Sequence, residues 1–254
     1  MPADDRATPN LQIFADASEV ARAAADRFVE LARTSVETRG RFGVALAGGS
    51  TPKRIYELLA ADDLREQINW PEVHIFFGDE RCVPPDDADS NYRMASEALL
   101  SRVPLPEQNI HRMRGEGDAV ANARLYEDEL RGFFGDVDWP QFDLVMLGMG
   151  DDGHTASLFP ATHALDVQSA WVTANWVEKF DTYRVTLTAP AINRARHIMF
   201  IVTGAGKAER LQEVLYGARE PHRLPSQLIQ PQEGALAWFL DEAAAANLKG
   251  KDEG

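Results

Sequence analysis

A strand-length apolar run, Phe142–Leu147, ends without a break in a glycine-rich loop: residues 142–160 read FDLVMLGMGDDGHTASLFP. The run has the length and composition of a buried strand. Gly148, Gly150 and Gly153 follow, with Asp151, Asp152 and His154 among them. A strand ending this way delivers titratable groups to the carboxyl edge of a sheet, the edge at which open α/β sheets bind ligands. Glycine permits the tight backbone there, and histidine exchanges protons near neutral pH.

The rest of the chain alternates between strand-length and helix-period segments. Strands are expected at Leu11–Phe14, Phe42–Ala47, Val73–Phe77, Trp171–Asn175, Arg184–Thr188, His197–Thr203 and Ala235–Leu240. Helices are expected over Ser18–Thr38 (with Val20, Ala24, Phe28, Leu31 and Val36 inward), from Pro52 to about Ala60, from Ser90 to Leu100, and over Asp118–Phe134. Further helices are expected over Ala189–Ala195, Ala208–Tyr216 and the alanine-rich Asp241–Leu248. This alternation predicts an α/β fold: a mainly parallel, open, twisted sheet with helices on both faces. Residues 11–248 are expected to form one domain, with frayed ends at 1–10 and 249–254. Val83–Pro85 and Val103–Pro106 read as loops within it.

Composition narrows the function. Acids outnumber bases 40 to 26, a net charge of -14, which argues against a nucleic-acid partner because phosphate backbones need a basic face. An anionic small molecule needs only a local cluster of positive charge. The longest apolar runs fall well short of the roughly 20 residues that span a bilayer, so no membrane partner is expected. MPADDRATPN lacks the basic start and apolar core of a signal peptide. A single cysteine, Cys82, forbids an intrachain disulfide and suits a reducing cytoplasm. A monomer or weak homo-oligomer is expected.

Three loops carry candidate chemistry. In Ala47-Gly-Gly-Ser-Thr-Pro52, Gly48 and Gly49 let backbone N–H groups turn inward, while Ser50 and Thr51 add hydroxyls ahead of a helix. That makes an anion site, or simply a Ser/Thr helix cap. It is not a Walker loop, nor is Gly204-Ala-Gly-Lys207, where Ile201 and Ala208 stand in required Gly and Ser/Thr places. Lys207 falls just past a strand at the same sheet edge and Arg184 is within reach of it, unless each is simply a solvated surface base. Gly78-Asp-Glu-Arg81 places Asp79 and Arg81 after another strand, either as a salt-bridged loop or as partners for sugar hydroxyls. Finally, Gly148–Gly153 satisfies the dinucleotide pattern G-x-G-x-x-G, but Asp151 and Asp152 would repel a pyrophosphate and Pro160 comes too soon for the long helix. His154 reads better as an acid/base group oriented by Asp152. The remaining histidines show no metal-ligand spacing and no serine sits in a G-x-S-x-G elbow, so neither a metal nor an acyl-serine is expected.

Taken in order, AGGSTP at 47–52, FFGDER at 76–81, DSNYRMA at 89–95, LGMGDDGHTASLFP at 147–160, RVTLT at 184–188 and TGAGKAE at 203–209 resemble the 6-phosphogluconolactonase family, as does WFLDEAAA at 238–245. The resemblance runs from about residue 11 to 248. It implies a Rossmann-like three-layer fold of the glucosamine-6-phosphate deaminase type. The implied activity is metal-independent, cofactor-free hydrolysis of 6-phospho-D-glucono-1,5-lactone in the oxidative pentose phosphate pathway. By the same resemblance His154 matches the general base. Ser50, Arg184 and Lys207 match phosphate contacts, and Asp79, Arg81, Asn91 and Asp152 match polar positions of the pocket, with Arg81 steadying substrate or developing charge. The related deaminases carry GHxAFNEP, with a glutamate before the proline; here Phe159 holds that place and cannot carry a proton. An aminosugar-phosphate isomerase/deaminase and a non-catalytic sugar-phosphate sensor remain the alternatives.

Overall fold

A computed structural model describes residues 8–248. Of the ends expected to fray, 1–10 and 249–254, residues 1–7 and 249–254 lie outside the described residues, and Asn10 pairs with Ala237. The elements in chain order are β1 (Asn10–Phe14), α1 (Ala17–Arg39), β2 (Phe42–Leu46), α2 (Ser50–Leu59), α3 (Asp62–Arg65), β3 (Val73–Phe77), β4 (Asp79–Arg81) and α4 (Asn91–Ala98). They continue with α5 (Ala119–Phe134), β5 (Leu144–Leu147), β6 (Val172–Val177), β7 (Thr182–Leu187), α6 (Ala189–Ile192), β8 (His197–Val202), α7 (Ala208–Tyr216) and β9 (Ala235–Asp241).

Six strands form a parallel sheet in the order β1-β9-β8-β5-β2-β3. Every residue of β2 and β5 is buried, as expected of central strands covered on both faces. Neighbouring residues of β2 show the two covers. The Phe42 ring meets Phe28 of α1 edge-on at 5.2 Å. A side chain at Gly43, which points the other way, would meet Phe133 of α5 at 3.5 Å. The β2 run is short and apolar because both sides are occupied, and Gly43 makes room for the aromatic cluster Phe76, Phe133, Phe134 and Phe142.

Local chemistry sets the helix starts. Asp16 caps α1 by accepting from Ser18 and Glu19 N–H, Ser90 caps α4 through Arg93 N–H, and Asp118 caps α5 through Ala121 N–H. Gly40, with φ 73°, ends α1 in left-handed backbone that favours glycine. α2 differs: its cap is Gly49, φ 103°, and no side chain caps it, leaving its first N–H groups without that partner.

Two expectations need correcting. The segments around 172–177 and 182–187 do not join the main sheet; with β4 they form a separate three-stranded antiparallel sheet, β4-β7-β6. Asp241–Leu248 is not a helix. Asp241 ends β9, and its side chain accepts from Gly204 and Ala244 N–H, so the carboxylate binds two loops together and the alanines continue as turns. Ala244 and Ala245 are fully buried, and packing there overrides their helix preference.

Candidate active site

The chain leaves β2 for β3 on one side and later places β5, β8 and β9 on the other, so strand order reverses between β2 and β5. Ligands of open α/β sheets sit at such a point, beyond the carboxyl ends of the strands. A cavity of about 310 Å³ lies there. The ends of β2 (Ala47, Gly48, Gly49), β3 (Gly78, Asp79, Arg81) and β5 (Gly148, Met149, Gly150) all line it. His154, Asn91 and Arg184 complete the polar lining.

His154 is held from three sides. Its Nδ1 lies 2.5 Å from Asp152 Oδ1. Burial works to raise the Asp152 carboxyl, but hydrogen bonding and charge from His154, with Lys179, hold it well below the ordinary carboxylate range. Asp152 is therefore ionised at neutral pH and Nδ1 carries the proton it donates, which leaves Nε2 as the basic nitrogen. Phe159 stacks on the imidazole with ring centroids 4.1 Å apart. Gly150 backs the ring: a side chain there would fall 2.0 Å from Nδ1. The loop then passes through Ala156, a non-glycine residue with φ 47°, before reaching Ser157. Such backbone persists where surrounding contacts over-determine it. Here the Ser157 hydroxyl donates to Asp79 Oδ2 at 2.6 Å, Ser157 N–H donates to Thr186, and buried Asn175 donates to the Ser157 carbonyl.

Two arginines line the same cavity. The register of β4 with β7 sets Arg81 directly against Arg184. Like charges so placed repel, and burial first, then Arg81, pushes the Arg184 guanidinium below its ordinary range. Neither arginine has a carboxylate in ion-pair contact among the described residues; Arg81 donates to the Asp89 carbonyl, and Arg184 lies 5.4 Å from the Phe180 ring. Two half-buried guanidinium groups with no carboxylate in ion-pair contact share this cavity with the uncapped start of α2, a chemistry that can hold an anion.

Asn91 closes the wall. A side chain at Gly48 would fall 1.9 Å from Asn91 Oδ1, so glycine is required for the amide to lie against this loop. Asn91 Nδ2 donates to the Asp79 carbonyl at 2.9 Å. Its backbone is fixed by Glu80, which accepts from Asn91, Tyr92 and Arg81 N–H and from the Ser90 hydroxyl. Burial raises the Glu80 carboxyl despite these bonds.

Of the residues singled out in the sequence, Gly48, Gly49, Asp79, Arg81, Asn91, His154 and Arg184 line the one cavity. Ser50, Thr51, Asp152 and Lys207 stand just outside it. Ser50 is exposed, and Thr51 shares a hydrogen bond with Thr203 at the end of β8. Asp152 acts on His154 from behind, and Lys207 is ion-paired with Asp151. Ser157, Phe180 and Glu80 join the site without a signal of their own in the sequence. Ser157 sits inside the 147–160 motif, but its partner Asp79 is 78 residues away; Phe180 lies in a stretch whose pattern says little, and Glu80 stands inside a motif whose neighbours carry the chemistry.

The match to the family model "Glucosamine-6-phosphate isomerases/6-phosphogluconolactonase" spans residues 15–238. The chain belongs to this family. A relative named 6-phosphogluconolactonase from Synechocystis sp. is 46% identical over 219 residues, covering 85% of this chain and 88% of that one. Another of that name from Nostoc sp. is 41% identical, covering 94% and 98%. The solved 6-phosphogluconolactonase from Trypanosoma brucei superposes with a TM-score of 0.83 at 30% identity, covering 94% and 98%. A monomeric glucosamine-6-phosphate deaminase shares the fold, with a TM-score of 0.78 at 19% identity. In this chain the ring stacked on His154 is Phe159.

Proposed function

We propose that this chain hydrolyses 6-phospho-D-glucono-1,5-lactone to 6-phospho-D-gluconate, the second step of the oxidative pentose phosphate pathway. The observation that carries the reading is the shared cavity, lined by an Asp152-oriented imidazole and by the Arg81–Arg184 pair. The names of the well-covered relatives support it.

The phosphate dianion is held by Arg184 and the first N–H groups of α2 at Gly49–Thr51. Lys207 joins by exchanging Asp151 for the substrate. Asp79 and Asn91 receive sugar hydroxyls. Anchored in this way, the lactone presents C1 near His154. His154 Nε2 takes a proton from water as the water oxygen bonds to C1, and charge moves to the carbonyl oxygen, steadied by Arg81. The imidazolium, stabilised by Asp152, then gives its proton to the ring oxygen as the C1–O bond breaks. One histidine serves both half-steps, and general acid–base help of this kind is worth about 10²–10⁴ in rate.

His154→Ala tests this on folded protein, with fresh lactone and subtraction of spontaneous hydrolysis. A fall of about 10²–10⁴ in kcat is expected; turnover near that of the parent protein would remove His154 from the role.

We also infer that residues 11–248 act as one α/β domain, supported by a continuous apolar cluster from Val20 to Ala245. A cytoplasmic monomer or weak homo-oligomer is the setting we propose, in keeping with the single cysteine and the acidic balance. No helix among the described residues is long and apolar enough to cross a membrane.

A further inference from the structure

The connection from β6 to β7 reaches over the cavity. Glu178–Phe180 make a single 3-10 turn, and Asp181 closes it in left-handed backbone, φ 49°. Two successive side chains of this turn touch the catalytic loop. Lys179 Nζ lies 3.2 Å from Asp152 Oδ2, the oxygen that His154 does not use. Phe180 lines the cavity and meets Phe159, the ring stacked on His154, edge-on at 5.7 Å. Among the described residues Asp152 is the only carboxylate in ion-pair contact with Lys179. The turn therefore grips both supports of the imidazole, its acid partner and its stacking partner.

We propose that Lys179 is a positioning residue for the His154–Asp152 pair, delivered to it by the β6–β7 turn. The proposal deepens the lactonase reading and rests on it. A carboxylate engaged at one oxygen can rotate away from its imidazole; one engaged at both cannot without breaking the second contact. Lys179 also offsets part of the negative charge that would otherwise stabilise imidazolium. Its loss should make His154 easier to protonate. The other charges that face the pair stay in place when Lys179 is changed: Asp79, Arg81 and Arg184 of the cavity lining, the Lys207–Asp151 ion pair on the flanking loops, and Arg210 of α7, packed against Gly153 and ion-paired with Glu213.

Lys179 is largely exposed, with its side chain 60% accessible, so its influence is screened by water and salt. A shift of a few tenths of a pH unit is the size expected of a unit charge at such a place, roughly 0.2–0.6.

The test is a ring titration of His154 by nitrogen-detected NMR in the full chain, for the parent protein and Lys179→Met, with the resonance assigned through His154→Gln. The Met variant should titrate at higher pH by that amount. The difference should shrink as salt is raised, and Lys179→Arg should restore the parent value. The acid limb of kcat/KM for the lactone should move by the same amount, which a purely structural role of the lysine would not produce. On the plateau of the pH profile, where His154 is unprotonated in both proteins, kcat of Lys179→Met should also fall, the mark of a displaced Asp152, and Lys179→Arg should restore it. A plateau kcat at the parent level in Lys179→Met overturns the proposal, as does a His154 titration that is unchanged or that moves to lower pH. The ring titration needs no substrate. A parent protein that fails to turn over lactone would therefore refute the functional reading separately.

Discussion

Replacing Gly150 by alanine adds one methyl group in a place where the structure has none to spare. The new Cβ would lie 2.0 Å from His154 Nδ1, 2.1 Å from Cε1 and 2.9 Å from Asp152 Oδ1. Ordinary contact begins at 3.4 Å, so the ring must retreat by roughly 1.4 Å, the scale at which misplaced groups lose about 10²-fold in rate. Retreat is blocked on one face by Phe159, whose ring centroid is 4.1 Å away. Gly150 does not have positive φ, so its backbone accepts alanine and strain there cannot explain a loss. We expect Gly150→Ala to lower kcat/KM about 10²-fold, equivalent to ~2.7 kcal/mol in the barrier. The accompanying loss of stability should be about 1–3 kcal/mol, as for overpacked sites. The assay is background-corrected lactone hydrolysis, paired with thermal unfolding to show that the variant is folded at the assay temperature. A folded Gly150→Ala protein with turnover near that of the parent would show that the position of the imidazole does not control the rate.

Three further outcomes are expected, two at the site and one away from it. Arg184→Ala should raise KM for the phosphorylated lactone about 10–100-fold, the worth of a charge-assisted contact, and leave an unphosphorylated 1,5-lactone nearly unaffected; equal effects on both would contradict phosphate anchoring, and Lys207→Ala should act in the same direction. Away from the site, His74 is pushed down to about 4 by burial first, then by His111 and Arg41. Between its unfolded value of 6.5 and that pH, the unfolded chain binds a proton that the folded chain refuses, so stability falls as pH drops through this window. After allowance for partial solvent access the loss is about 1–2 kcal/mol. His74→Phe should flatten the fall of the urea midpoint between neutral pH and pH 5; parallel curves for the two proteins would refute this.

The main sheet was legible because a short apolar run flanked by glycine has few other readings, and β3 and α7 match their expected bounds. The second sheet was not legible. Three-residue β4 has no apolar run of its own, and nothing local in RVTLT says that its partner lies a hundred residues earlier. That long-range pairing places Arg81 against Arg184, so the sequence could nominate both arginines without showing that they work side by side. Alanine spacing suggested a helix after β9, but the carboxylate of Asp241 captures Gly204 N–H instead, a partner invisible to local pattern. Lys207 sat at the expected edge, yet its charge is taken by Asp151. Glu80 was passed over because a buried carboxylate at a helix start resembles any surface acid until its four donors are seen together.

The facing guanidinium groups of β4 and β7 carry a consequence for how this protein can change. Their repulsion is a standing burden on the unliganded fold, offset only in part at Arg184 by Asp79 and Asp89, and an anion would relieve it further. Selection for heat resistance alone would favour a neutral residue at either position and would yield a sturdier chain with a weaker grip on its substrate. Durability and capture are thus set against each other at one rung of a three-stranded sheet.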